Sequence, residues 1–370
     1  MALAAGLVGL PNVGKSTLFN ALTKSSVPAE NYPFCTIEPH TAITLVPDER
    51  ITKLQKIYGS KKTIPATFQF VDIAGLVKGA ASGEGLGNQF LGHIKEVDLI
   101  LHVLRCFEDP LVTYENRELD PLLDYEIIVT ELMLKDLDSL TKRKQKMEQL
   151  LKVAKNKPLE YKQLMAESEL LEQLEKALNQ QKISQMQELI AQSPVKTIDL
   201  ISAKNFLIIA NISESEVEAE GYLKNKYYQR LVEAFGAHKV IPISAKLEAE
   251  LAQLSPEEAQ EMASMMGLAR SGLETIIEKS YNSVGLITFF TCGPQEIHAW
   301  PLKKGVSIRQ AAGEIHSDLQ RGFICSDIFN CTDIFLQPSE AKLKDIGKIR
   351  TEGQDYIVQD GDIVHIKFNV

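Results

Sequence analysis

Eight residues near the N-terminus carry the clearest chemistry in this chain. Gly9-Leu10-Pro11-Asn12-Val13-Gly14-Lys15-Ser16 follows an apolar run, Leu3 to Val8, and precedes a helix-prone stretch, Thr17 to Thr23. A G-x-x-x-x-G-K-S/T pattern in that strand, loop and helix context is built to hold a polyphosphate. Gly9 and Gly14 let the backbone turn its N–H groups inward, and the helix N-terminus adds a favourable dipole. Lys15 places a cation at the β/γ-phosphates, where it serves both binding and catalysis, and Ser16 offers a hydroxyl ligand for Mg²⁺. Asn12, Val13, Gly14, Lys15, Ser16 and Thr17 are therefore the candidate phosphate-binding residues. Downstream, Asp72-Ile73-Ala74-Gly75 closes the apolar run Phe68 to Val71. Asp72 stands at a strand end, where it would hold Mg²⁺, and the Gly75 N–H would approach the γ-phosphate. Between the two motifs Thr36 is a candidate second Mg²⁺ hydroxyl, although on composition alone Thr41 serves equally.

The elements that must position these groups follow from the pattern around them. Residues 3–120 alternate short aliphatic runs (Leu3 to Gly9, Ala42 to Val46, Thr67 to Asp72, Leu99 to Arg105) with glycine-rich turns and helical stretches. Such alternation predicts a largely parallel sheet in an α/β architecture. From Asp124 to Ser193 glycine disappears and apolar residues recur at three- and four-residue spacings: Met133, Leu137, Leu140, Met147, Leu151, then Leu164, Leu171, Leu174, Leu178. The period predicts an antiparallel helical hairpin turning near Asn156 to Pro158, inserted at residues 124–193 into an α/β domain made of residues 1–123 and 194–282. Asn205 to Ala210 and Lys239 to Ser244 resume the strand pattern, with a helix over Tyr222 to Phe235 between them. Residues 283–368 read as a small α+β domain. It holds a hairpin of Leu286 to Phe290 with Glu296 to Pro301, a helix over Ser307 to Leu319 with Ser307 and Gln310 in capping-box positions, and closing strands at Tyr356 to Val358 and Ile363 to Phe368.

Three stretches, Gly9 to Ser16, Asn31-Tyr32-Pro33-Phe34-Cys35-Thr36-Ile37-Glu38-Pro39, and Asp72-Ile73-Ala74-Gly75-Leu76-Val77-Lys78-Gly79-Ala80, together resemble the Obg-like ATPases, the YchF branch of the TRAFAC P-loop NTPases. The resemblance covers essentially the whole chain. It implies an OBG-type G domain with an inserted coiled coil and a C-terminal TGS (β-grasp) domain. Guanine-specific relatives read their base with Asn-Lys-x-Asp, whereas this chain has Asn211-Ile212-Ser213-Glu214 after the strand Phe206 to Ala210. The guanine code is lost, and the resemblance implies ATP instead. Ile212 would line the base, Asn211 would bond its edge, and Ser244, Ala245 and Lys246 would close the pocket behind, with Glu214 displaced from the base; the plainer reading is that Asn211 caps a turn.

Hydrolysis is harder to place. Leu76 stands where many related GTPases carry a water-orienting Gln, and a Leu side chain cannot hydrogen-bond water. The family's substitute, a histidine after Cys-Phe-Glu, falls at Tyr114. His93, in the glycine-rich segment that follows Gly75, is an alternative, set against the plainer reading of a structural histidine. A K⁺ ion near Asn12 is another, because K⁺-activated relatives use Asn at that position.

A net charge of −9 argues against general nucleic-acid coating, and no DNA partner is expected. The first helix of the hairpin is an exception. Lys135, Lys142, Arg143, Lys144, Lys146, Lys152, Lys155 and Lys157 face Asp136, Asp138 and Glu148, eight positives less three negatives leaving +5. Such a face suits RNA phosphates, while a merely solvated helix is the bland alternative. Ribosome or ribosomal RNA binding is what the family resemblance implies. Five scattered cysteines without a Cys-x-x-Cys pair give neither a disulfide framework nor a zinc site. No apolar run approaches a membrane span, and a cytoplasmic monomer is expected. The leading reading is an ATP-binding, slowly hydrolysing switch protein of the translation machinery. A nucleotide-gated docking module with vestigial hydrolysis and an Obg-type GTPase are the alternatives.

Overall fold

The computed structural model describes residues 3–26, 40–73, 94–110, 114, 118–193, 195, 198–268 and 270–369. In chain order the elements are β1 (Ala4–Val8), α1 (Lys15–Lys24), β2 (Thr41–Leu45), α2 (Glu49–Tyr58), β3 (Lys62–Ile64), β4 (Thr67–Asp72) and β5 (Leu99–Arg105). The hairpin region follows as α3 (Pro121–Val153), α4 (Pro158–Asn179) and α5 (Ile183–Gln192). Next come β6 (Asn205–Asn211), α6 (Lys226–Phe235), β7 (Val240–Ile243), α7 (Ala245–Leu251), α8 (Pro256–Met265) and α9 (Gly272–Ser283). The C-terminal elements are β8 (Leu286–Cys292), β9 (Glu296–Lys303), α10 (Ile308–Ile315), α11 (Ser317–Arg321), β10 (Phe323–Asn330), α12 (Cys331–Leu336), α13 (Glu340–Asp345), β11 (Arg350–Glu352) and β12 (Asp362–Phe368).

The chain divides into two compact units, one holding residues 4–21 and 70–272, the other residues 1–3, 22–69 and 273–370. In the first, the strand order is β4-β1-β5-β6-β7. The β1–β5, β5–β6 and β6–β7 pairings are all parallel, with Leu7 opposite Leu101, Leu101 opposite Leu207 and Ile209 opposite Ile241. Every residue of β1 and of β5 is buried. Strands covered on both faces have no solvent side to alternate with, which is why Ala-Ala-Gly-Leu-Val and Leu-Ile-Leu-His-Val-Leu-Arg read as unbroken runs.

The expected hairpin is present. Asp120 caps α3 by accepting from the Leu122 and Leu123 N–H groups, and Pro121 sits at the helix start, where its missing N–H costs nothing. One turn over Ala154–Asn156 and a second proline, Pro158, reverse the chain into α4. The two apolar stripes meet as foreseen, with Met133, Leu140 and Met147 packing with Leu171, Leu174, Leu178 and Met186. At the base, Asp136 is turned inward and buried. Its carboxylate accepts from Ile201 N (3.0 Å), Ser202 N (2.7 Å) and Ser202 Oγ (2.6 Å), fastening the hairpin to the segment that leads into β6.

In the second unit the sheet order is β11-β10-β12-β8-β9-β3. The β8–β9 hairpin is antiparallel, β12 runs parallel to β8, and the α10 residues Ile308 and Ala311 pack with Phe289, Leu302, Ile328 and Val364. Residues 323–330, where no strand is expected from pattern, form β10, and β3 adds to the outer edge of β9 in parallel. Tyr356 to Val358 makes only a bridge from Ile357 to Ser307 rather than a strand. The helix read over Ser307 to Leu319 breaks at His316, which adopts extended angles (φ −164°, ψ 141°) and caps α11 through its ring nitrogen. Among the described residues no helix is long and apolar enough to cross a membrane.

Candidate functional site

The phosphate loop connects β1 to α1, as the motif requires. Two of its residues, Asn12 (φ 63°) and Gly14 (φ 94°), occupy the left-handed region. At Gly14 the conformation is enforced twice, because a Cβ there would lie 2.2 Å from the Asn211 amide nitrogen. Only glycine combines that backbone with that close approach. Val13 is buried and anchors the loop, while Ser16 and Thr17 are exposed on the first turn of α1.

Lys15 and Asp72 form an ion pair in which both side chains are nearly buried. Asp72 ends β4, the strand beside β1, so its carboxylate reaches the loop from the neighbouring strand end. The donor set is one carboxylate at a strand end plus an exposed hydroxyl at a helix start, with no cluster of three acidic, His or Cys ligands among the described residues. That fits Mg²⁺, which takes few protein ligands and shares itself with phosphates, better than it fits a caged metal. When bound, the ion would neutralise phosphate charge; Lys15 would then exchange Asp72 for the nucleotide.

Asn211 is the residue that ties the site together. Ending β6 and 4 % exposed, it donates from Nδ2 to the Val13 carbonyl (2.9 Å) and accepts at Oδ1 from the Ala245 N–H (2.9 Å). One amide therefore bridges the phosphate loop and the start of α7, whose N-cap is Ser244. This is a structural duty beyond the base contact expected of Asn211. It was invisible in the sequence, because the partners are backbone groups of distant segments. Ile212 is buried with Leu104, Cys106, Tyr125 and Tyr228, so its side chain enters the core of this unit. The Glu214 carboxylate is engaged by Lys246 at 2.8 Å, and that bond raises the Lys246 pKa. Glu214 thus faces a cation, whereas a guanine reader must present its carboxylate to two donors on the base.

Tyr114 donates to Asp124 Oδ1 at 2.8 Å, and its ring lies 5.4 Å from the Arg105 guanidinium. Arg105, at the end of β5, also donates to the Phe107 and Asp109 carbonyls (both 3.1 Å) and so shapes the segment after β5. The signal for this role in the sequence is an arginine closing a mostly aliphatic strand. Gly75, Leu76, His93 and Thr36 lie outside the described residues. A cavity of about 560 Å³ is lined by Glu108, Glu118, Leu119, Lys226, Tyr227 and Arg230, none of them from the phosphate loop. Its cations pair locally, Lys226 with Glu108 (3.1 Å) and Arg230 with Asp120 (3.2 Å).

Comparison with known proteins agrees with this arrangement. A family model described as 50S ribosome-binding GTPase matches residues 4–191, and one for the C-terminal region of YchF GTPases, described as a protein of unknown function, matches residues 286–369. The chain is 44 % identical to the Bacillus subtilis ribosome-binding ATPase YchF, all of both chains being covered. It is 41 % identical to Obg-like ATPase 1 of Oryza sativa subsp. japonica, covering all of this chain and 92 % of that one. The solved structure of the Schizosaccharomyces pombe YchF GTPase superposes with a TM-score of 0.82 at 35 % identity, covering 99 % of this chain and 97 % of that one. With identities above 40 % to curated members over the whole of its length, the chain belongs to the YchF family of Obg-like ATPases.

Proposed function

We propose that this protein binds ATP with Mg²⁺, hydrolyses it slowly, and uses the nucleotide to switch its association with ribosomes. The observation that carries the reading is the base side of the site, where Asn211 clamps the phosphate loop while Ile212 is buried and Glu214 is held by Lys246. Nothing in that set matches the paired donors of a guanine edge. The relatives named ribosome-binding ATPases support both the nucleotide and the partner. In this reading Lys15, Ser16, Asp72 and Thr36 serve the phosphates and Mg²⁺, Gly75 approaches the γ-phosphate, His93 is the candidate for the attacking water, and a K⁺ near Asn12 assists. Residues 1–123 and 194–282 form the nucleotide domain, residues 124–193 the inserted hairpin and residues 283–368 the TGS domain of a cytoplasmic monomer. Equal hydrolysis rates in K⁺ and Na⁺ would remove the K⁺ element.

A second reading, a docking module whose hydrolysis is vestigial, is favoured by one observation: Tyr114, at the family histidine's place, spends its hydroxyl on Asp124. Multiple-turnover phosphate release with and without ribosomes separates the two. A switch enzyme accelerates on its partner; a docking module releases phosphate at the same low rate in both conditions.

A further inference from the structure

We propose that the tip of the helical hairpin, residues 146–162, is the surface that docks on RNA. The inference rests on the ribosome reading above and names the part of the chain that makes the contact.

The tip is basic. The tip holds Lys146, Lys152, Lys155, Lys157 and Lys162 against Glu148 and Glu160, five positives less two negatives leaving +3 in a chain of net −9. Lower on the hairpin the cations are spent internally. Arg143 pairs with Glu167 and Lys144 with Glu175, both on α4, and Lys142 pairs with Asp138 at 2.8 Å. The broad basic face read from the sequence therefore contracts to the tip. There, Lys146, Lys152, Lys155 and Lys162 are exposed, and no carboxylate among the described residues lies within 4.0 Å of their ammonium groups. Lys157 has only the exposed Glu160 at 2.9 Å, a contact that water and salt weaken.

The tip also exposes apolar side chains. Val153 and Leu159, on either side of the turn, are 79 % and 77 % exposed, and Leu150 and Tyr161 are each 37 % exposed. None of the four belongs to the hairpin's own core. Large apolar groups set among exposed lysines offer faces for unstacked bases and cations for the phosphates between them. A ribosome presents mostly phosphate, so RNA is the occupant this charge complements, and a ribosomal protein is the alternative to be excluded.

The test uses the full chain and two variants, one with Lys152, Lys155, Lys157 and Lys162 all changed to Gln, the other Val153→Ser with Leu159→Ser. Binding to purified ribosomes and to deproteinised ribosomal RNA is measured from about 50 to about 200 mM salt. Nucleotide binding without ribosomes should match wild type in both variants, since no changed residue touches that site. The lysine variant should lower the slope of log K against log salt by about 3, and the apolar variant should weaken binding about tenfold or more with its slope kept. A photo-crosslinker at position 159 should label RNA. Variants that bind ribosomes like wild type, or a crosslink to ribosomal protein alone, would overturn this inference while leaving the ribosome reading intact. Wild type that binds neither ribosomes nor RNA would remove both.

Discussion

Replacing Asn211 by Asp changes one atom and should be worse than replacing it by Ala. Asn211 donates to the Val13 carbonyl and accepts from the Ala245 N–H, each at 2.9 Å, in a place 4 % exposed. Asn211→Ala strips both backbone groups of their partner, and each buried group so orphaned costs about 1–3 kcal/mol. Taking about 3 kcal/mol in total, the loop relaxes when empty and nucleotide must restore it, which lowers affinity by up to about two orders of magnitude. Asn211→Asp keeps the acceptor toward Ala245 but points a carboxylate oxygen at the Val13 carbonyl oxygen, so repulsion and the burial of a charge replace a hydrogen bond. The expected order of affinity is wild type, then Asn211→Ala, then Asn211→Asp. Titration with a fluorescent ATP analogue, beside thermal unfolding of the same samples, reads both consequences. An Asn211→Asp protein that binds like wild type would refute the clamp, since only the acceptor would then matter.

Gly14→Ala should reduce nucleotide affinity more than tenfold, because a Cβ meets Asn211 at 2.2 Å and φ is +94°. Gly59→Ala, also at positive φ but with open space around its Cβ, should cost about 1–2 kcal/mol in denaturant stability and leave binding alone. Asp136→Ala should lower stability by about 3 kcal/mol in urea unfolding, since two buried N–H groups and a hydroxyl lose their acceptor; a loss under about 1 kcal/mol would show that water replaces it. His102 is buried in β5 between Tyr125 and Phe206, and burial pushes its pKa from 6.5 down to about 3. Below pH 6.5 the unfolded chain takes up a proton there that the folded chain refuses, so stability falls as pH drops from 6.5 toward about 3. At about pH 5 the loss is about 2 kcal/mol, and His102→Leu should remove that part of the acid limb; an unchanged limb would place it in other groups.

What the sequence made legible was local. The phosphate loop is contiguous, and its context of strand and helix lies within two dozen residues. The hairpin announced itself because its apolar period persists over many turns and Pro158 marks its reversal, whereas the start at Pro121, three residues before the expected boundary, was not legible. Pairing between distant segments was not legible. β3 is three residues, Lys-Thr-Ile, with nothing to say that it adds to the edge of β9. Asp136 sits in a run of charged residues that reads as solvent-facing, yet its partners at Ile201 and Ser202 bury it. Asn211 could be recognised as a site residue, but its bond to Val13 spans 198 positions, and no pattern near either end records it. The same limit applies to the basic hairpin face, where cross-helix pairs with Glu167 and Glu175 decide which lysines remain available.

The central claim, a phosphate loop joined to a base site that does not read guanine, is tested most directly by calorimetric titration of the purified protein with ATP and with GTP in the presence of Mg²⁺. ATP should bind at least as tightly as GTP, and Lys15→Ala should abolish both. Tight GTP binding with no measurable heat from ATP would contradict the account.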